Sequence, residues 1–175
     1  MSDRPLSLDE KIEFFVNRTV DLQIQPAIDM QIQNILNRGF AQMLIVLSIF
    51  EMIGKYRAGF VDEGSSAKYF KEGLRWTFHE ISDAEIALLK TFYKSVRCGL
   101  YHAGMTRPNV YLVSGMPGSF GFMAKTNMLA IDPDLFVDDV RIRFNAYASE
   151  LRNPENSDLR LAFERCFDYD DSNGV

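Results

Sequence analysis

Apolar residues recur at spacings of three and four along most of this chain, and they shorten to strand-like runs in only one stretch. Leu8, Ile12, Phe15 and Val16 form the first stripe. It follows SLDE at 7–10, where Ser7 and Glu10 have the spacing of a capping box, and it predicts a helix to about Thr19. Pro26 suits the first turn of a second helix, whose Ile28, Ile32, Ile35 and Leu36 lead to Gly39. A third helix, about 40–58, is apolar nearly all round, which predicts a central element or one half of an interface between two copies. Residues 67–78 are amphipathic. A second capping box, Ser82 with Glu85, then opens a helix whose Ile86, Leu89, Phe92, Tyr93, Val96 and Leu100 share a stripe, and Ala103-Gly104 stops it.

The period changes after Pro108. VYLV at 110–113, FGFMA at 120–124 and MLAI at 128–131 are short runs separated by turn-forming residues, and they predict a small antiparallel meander. Asp132 and Pro133 restart a helix, which Phe136, Val140, Phe144, Tyr147 and Leu151 carry forward; a last helix runs from Ser157 to about Asp168. The expected fold is therefore mainly α: a helical bundle with a small antiparallel β-meander at about 110–131, followed by two C-terminal helices, in one domain of 175 residues. The polar ending DYDDSNGV predicts a mobile acidic tail at 169–175.

Composition narrows the chemistry. The two cysteines, Cys98 and Cys166, stand far apart and read as reduced thiols. The N-terminus has no secretory pattern, and the longest apolar run, 40–53, is interrupted by Gln42, Ser48 and Glu51, so the expectation is a cytoplasmic protein outside the membrane. Two histidines and two cysteines without close pairing predict no metal site, and no cofactor motif is present; GMPGSFG at 115–121 reads as a turn. Net charge is -5, yet residues 86–131 contain no Asp or Glu and carry Lys90, Lys94, Arg97, Arg107 and Lys125. A one-signed stretch in an acidic chain predicts a surface that meets anions.

Within that stretch SVRCGLYHAG holds Arg97 and, five residues on, His102. Five residues along a regular helix turn through about 140°. The two side chains can share a site only where the helix loosens near Ala103-Gly104, or where a second copy supplies its own pair. Otherwise Arg97 pairs with a carboxylate and His102 sits favourably at a helix C-terminus. Cys98, one turn before His102, lacks an orienting acid nearby in sequence and makes a poor nucleophile.

A mainly helical domain with R-x-x-x-x-H on a late helix resembles the HEPN superfamily (higher eukaryotes and prokaryotes nucleotide-binding), over residues 7–104. The commonest form has Asn, Asp or His directly after the Arg, where this chain has Cys98, and the meander is outside the core bundle of that superfamily. The resemblance implies a metal-independent endoribonuclease of a toxin, defence or RNA-processing system, working as a homodimer, with an antitoxin as a possible protein partner. It also implies roles: Arg97 on the scissile phosphate and His102 as general acid or base, chemistry that suits a fork that stays charged and an imidazole that titrates near neutrality. Lys90, Lys94, Tyr101, Arg107 and Lys125 are then the expected RNA contacts. Members that have lost activity serve as nucleotide-, RNA- or protein-binding modules, which is the alternative reading, beside an unrelated helical regulatory dimer.

Overall fold

Helix α1 (Leu8–Thr19) starts where SLDE places it, with the Glu10 carboxylate accepting from the Ser7 amide at 2.8 Å and Ser7 Oγ accepting from the Glu10 amide. The Arg4 guanidinium closes on the same carboxylate and, with the Ser7 amide, holds the Glu10 pKa down at about 2. The coordinates are a computed structural model that describes residues 4–32, 38–59, 66–79, 81 and 85–173. The expected break at Thr19 is absent. A wide turn over Val20–Ile24, in which the Gln25 amide donates to the Val20 carbonyl five residues back, joins α1 to α2 (Gln25–Ile32). Pro26 has no N–H to offer Leu22, and its ring would press on that carbonyl in a regular turn, so the helix widens instead of ending. Ile35 and Leu36 lie outside the described residues.

Helix α3 (Arg38–Ala58) packs on α2, α4 (Ser66–Thr77), α7 (Pro133–Arg152) and α8 (Ser157–Asn173). Its Met43, Val46, Leu47, Ile49 and Phe50 are completely buried. At 21 residues it is long and apolar enough to cross a bilayer, unlike the shorter run read from sequence, but half of its apolar window is buried against protein. Its all-round apolarity is thus accounted for by a central position within one chain. Only Phe40 and Leu44, near its start, are exposed large apolar side chains.

The closest approach in the fold is between α3 and α4. A Cβ on Gly54 would run into the Tyr69 carbonyl and stand 3.0 Å from the Gly73 amide nitrogen, and one on Gly73 would run into the Phe50 carbonyl. Each helix therefore needs glycine where it crosses the other.

One long helical segment follows: α5 (Ile86–Thr91), a wide turn over Phe92–Arg97, and α6 (Cys98–Ala103), which ends at Gly104 with φ 68°. Ser82, the expected cap, lies outside the described residues. Leu88, Leu89, Phe92, Val96 and Leu100 form the buried stripe, whereas Ile86, expected on it, is 65% exposed.

Strands β1 (Val110–Leu112), β2 (Phe120–Met123) and β3 (Met128–Ile131) form the expected small sheet, but it is mixed and is not a meander. The order is β1-β3-β2. β3 pairs parallel with β1 (Val110 opposite Leu129) and antiparallel with β2 (Met123 opposite Met128). Residues 113–119 are too many for a tight hairpin, and the Asp132 carboxylate pins their loop by accepting from the Gly115 and Met116 amides at 2.7 and 3.2 Å. That leaves room for β3, whose Leu129 and Ile131 are completely buried, to take the centre. Rings weld the sheet to the helices: Phe120 stands 5.3 Å from both Phe78 and Phe92, and Phe136 stacks on those two.

The last helix runs further than the end expected near Asp168. Helix α8 continues to Asn173, because Asp170 binds Lys55 Nζ at 2.6 Å and accepts from the Tyr56 hydroxyl at 3.1 Å.

The Gly54–Gly73 crossing makes the first prediction. Replacing Gly73 by Ala should destabilise the protein by about 2–4 kcal/mol in denaturant unfolding, at or above the usual range for overpacking, because the obstacle is rigid backbone. A loss below about 0.5 kcal/mol would mean that the helices separate freely and that the crossing constrains nothing.

Candidate functional site

The helical segment 86–103 presents two different faces, and the wide turn over Phe92–Arg97 divides them. In that turn the Cys98 amide donates to the Tyr93 carbonyl, five residues back. Such turns carry one extra residue and occur often at functional positions.

The first face looks toward α3 and α4 and holds Arg97. Its Nη2 donates to Glu51 at 2.9 Å and to Ser66 Oγ at 3.4 Å. The guanidinium lies 4.5 Å from the Tyr101 ring centre and 5.8 Å from that of Tyr93. Partial burial pulls the Arg97 pKa down, but the Glu51 carboxylate outweighs it and the net shift is up. Arg97 is thus a fixed, permanent cation with a carboxylate on one edge and aromatic faces beside it. His102 is exposed and makes no hydrogen bond or ion pair among the described residues. It follows Arg97 along the regular helix α6, so it projects about 140° away. The structure gathers Arg97 with Tyr93 and Tyr101 and leaves His102 apart from them.

The second face looks toward the sheet. A groove of about 610 Å³ runs between the helix and the sheet, lined by Ile86, Ala87, Lys90, Thr91, Lys94 and Ser95 on one wall and by Asn109 and Asn127 on the other. Gly99 lets the returning chain lie close to the helix, since a Cβ there would stand 2.7 Å from the Met105 carbonyl oxygen, and the Arg107 amide then donates to Ser95 at 2.9 Å. Asn109 Nδ2 donates to the Asn127 carbonyl at 2.8 Å, and the Leu129 amide donates to the Asn109 carbonyl. Arg107 and Lys125 each stand two residues from one of these asparagines.

Lys90, Lys94, Arg107 and Lys125 are all exposed, and none has a carboxylate partner among the described residues. Elsewhere ion pairing is the rule: Arg4, Lys11, Arg38, Lys55, Arg57, Arg152 and Arg160 each bind an acid. The acid-free stretch therefore carries four unneutralised cations, two of them, Lys90 and Lys94, on the groove wall, and its fifth, Arg97, is neutralised by Glu51. Among the described residues no three His, Cys, Asp or Glu side chains gather as a metal site would require.

Sequence reasoning missed Glu51 and Ser66 as partners of Arg97, and Thr91, Ser95, Asn109 and Asn127 as groove residues. Glu51 had left a signal: it is the only acid in α3 and follows a run rich in apolar residues, and a carboxylate in such a place needs a cation. The four groove residues left none, because Thr, Ser and Asn are ordinary on helix surfaces and in turns. No family model matches the chain, and no curated protein or solved structure matches it either.

With 18% and 29% of their side chains exposed, Arg97 and Glu51 lie between a surface pair and a buried one. A double-mutant cycle with Arg97→Ala and Glu51→Ala should give a coupling of about 1–2 kcal/mol. A coupling near zero would show that the pair does not hold Arg97 in place.

Proposed function

We propose that this chain is a helical RNA-binding module, similar to the non-cleaving members of the HEPN superfamily, and that it contacts RNA through the acid-free face of residues 86–131. The observation that carries this reading is the set of four exposed cations without a carboxylate partner among the described residues, Lys90 and Lys94 on the groove wall and Arg107 and Lys125 two residues from its asparagines, on a chain whose other cations are mostly paired. Phosphate binding needs a positive field, and a salt-bridged cation supplies little of one. Tyr101, 45% exposed beside Arg97 on the other face of the helix, offers a stacking surface outside the groove. The reading places the chain in the cytoplasm, where RNA is abundant.

Binding is favoured over cleavage by the same geometry. General base catalysis needs the imidazole within hydrogen-bond reach of the 2′-hydroxyl while a free guanidinium fork faces the phosphate. Here Glu51 occupies an edge of the Arg97 fork, and His102 stands on another side of the helix. The ribonuclease reading survives in one form only, a homodimer in which His102 of one copy meets Arg97 of the other. The exposed, unbonded His102 ring is the observation that favours it.

Fluorescence anisotropy with a short single-stranded RNA tests the proposal. Three to four phosphate contacts should make log K fall against log salt with a slope of about -2 to -3, and removing Lys90 and Lys94 together should reduce the slope by at least about 0.7. Absent binding, or binding indifferent to salt, would overturn the proposal. Incubation of the same RNA with the chain in EDTA should leave it intact. Strand loss that His102→Ala abolishes would instead establish the dimeric ribonuclease, with sedimentation expected to show a dimer.

A further inference from the structure

We propose that the groove between the helix 86–97 and the sheet is a pocket for one nucleoside monophosphate unit, and that the sheet is there to supply its second wall. This inference rests on the RNA-binding reading and narrows it to one site. The groove's volume, about 610 Å³, lies within the range of small-molecule pockets, roughly 300–1,000 Å³. Its polar groups are arranged unevenly, and that arrangement identifies the occupant.

Lys90 and Lys94 stand one turn apart on the helix wall, both exposed and both without a carboxylate partner among the described residues. Two ammonium groups so placed can converge on one phosphate, and among the described residues no acid lines the groove to compete. Beside them Thr91 and Ser95 carry hydroxyls that make no side-chain hydrogen bond with the described residues. On the facing wall Asn109 uses its Nδ2 on the Asn127 carbonyl, which leaves its carboxamide oxygen to accept, and the Asn127 carboxamide is also without a partner. Neutral hydroxyls and carboxamides suit the edges of a sugar and a base, which both donate and accept. At the groove's other end, Ile86, 65% exposed, and Ala87 offer an apolar surface to a base. A bare anion would leave those carboxamides and that apolar end unused, and an extended acidic peptide would not need them.

The sheet wall is prepared for this role. Asn127 adopts φ 52°, a left-handed turn conformation that asparagine tolerates, and the Asn109–Asn127 bond fixes the loop before β1 to the turn before β3. Neither strand pairing nor core packing requires a side chain at 127. Its placement opposite Lys90 and Lys94 follows from the mixed topology, which brings both asparagines to the same end of the sheet.

Isothermal titration calorimetry of the full chain with adenosine 5′-monophosphate, adenosine and inorganic phosphate tests the pocket. The monophosphate should bind, with adenosine and phosphate each at least about tenfold weaker. Lys94→Ala on the helix wall and Asn127→Gly on the sheet wall should each weaken the monophosphate by about tenfold. Glycine keeps the left-handed turn, and unchanged circular dichroism will confirm that both variants fold. Competition by a short RNA carrying a 5′-phosphate, but not by the same strand with a 5′-hydroxyl, would assign the pocket to strand ends. Equal indifference to both strands would assign it to free nucleotide. Monophosphate binding that neither variant weakens overturns the pocket. So does a chain that binds RNA with the steep salt slope yet ignores the monophosphate, an outcome that leaves RNA binding intact. Loss of both RNA and monophosphate binding removes the two readings together.

Discussion

The contact between α3 and α4 at Gly54 and Gly73 sets the position of nearly everything else. With no side chain at either crossing point the two backbones touch, and flanking side chains then mesh at a separation that larger residues would forbid. Phe50, whose carbonyl faces Gly73, brings its ring to 5.8 Å from both Phe70 and Phe136, so the crossing also seeds the aromatic core that reaches the sheet. Glu51 follows Phe50 directly, and Ser66 opens α4. Both reach Arg97 because the helices that carry them are held so close. A wider crossing would leave a half-buried carboxylate without its cation, an arrangement costlier than the pair is beneficial.

Charge is sorted by the way the chain ends are fastened. Lys11 on α1 binds Glu164 and Asp168 on α8, Arg160 binds Asp9, Arg152 binds Glu13, and Lys55 binds Asp170. Each exposed pair contributes at most about 1 kcal/mol. Their larger effect is on the field. Opposite charges a few ångströms apart offset one another within the Debye length, about 8–10 Å at physiological salt, so these paired cations add little positive field. Among the described residues Lys90, Lys94, Arg107 and Lys125 have no such neighbours, and of the cations in 86–131 Arg97 is paired, with Glu51. An acidic chain therefore keeps one stretch of net positive charge, because that stretch lacks acids of its own and four of its five Lys and Arg have no carboxylate partner among the described residues.

Local signals in the sequence translated well into local structure. The Ser7–Glu10 box, the Asp132 cap with Pro133 behind it, and the stop at Gly104 are each legible because a few adjacent residues decide them. Long-range partners were not legible. Glu51 was visible only as a polar interruption, and nothing near it in sequence names Arg97, 46 residues away. The strand order escaped for a related reason: three short apolar runs look alike, and only the Asp132 tether on the 113–119 loop favours β3 at the centre. The end of the last helix escaped in the same way, because nothing near Asp170 in sequence names Lys55 and Tyr56 as its partners.

The division between the two faces of the late helix comes down to a single extra residue. On an unbroken α-helix Arg97 would stand within about 20° of Lys90, and it would join Lys90 and Lys94 in one cationic stripe along the groove. The turn over Phe92–Arg97, with its amide bonded five residues back, holds back the rotation by about 100°. That lag turns Arg97 away from the groove and toward Glu51, and it carries Tyr101 along, since the regular helix α6 keeps that ring one turn above the guanidinium. The groove keeps two lysines free for an anion, while the arginine is held against α3. Had the segment stayed regular, Glu51 would face no cation and the groove would hold three. The wide turn is thus the element that makes binding face and structural face separate surfaces of one helix, and the R-x-x-x-x-H pattern, read on a regular helix, gives no sign of it.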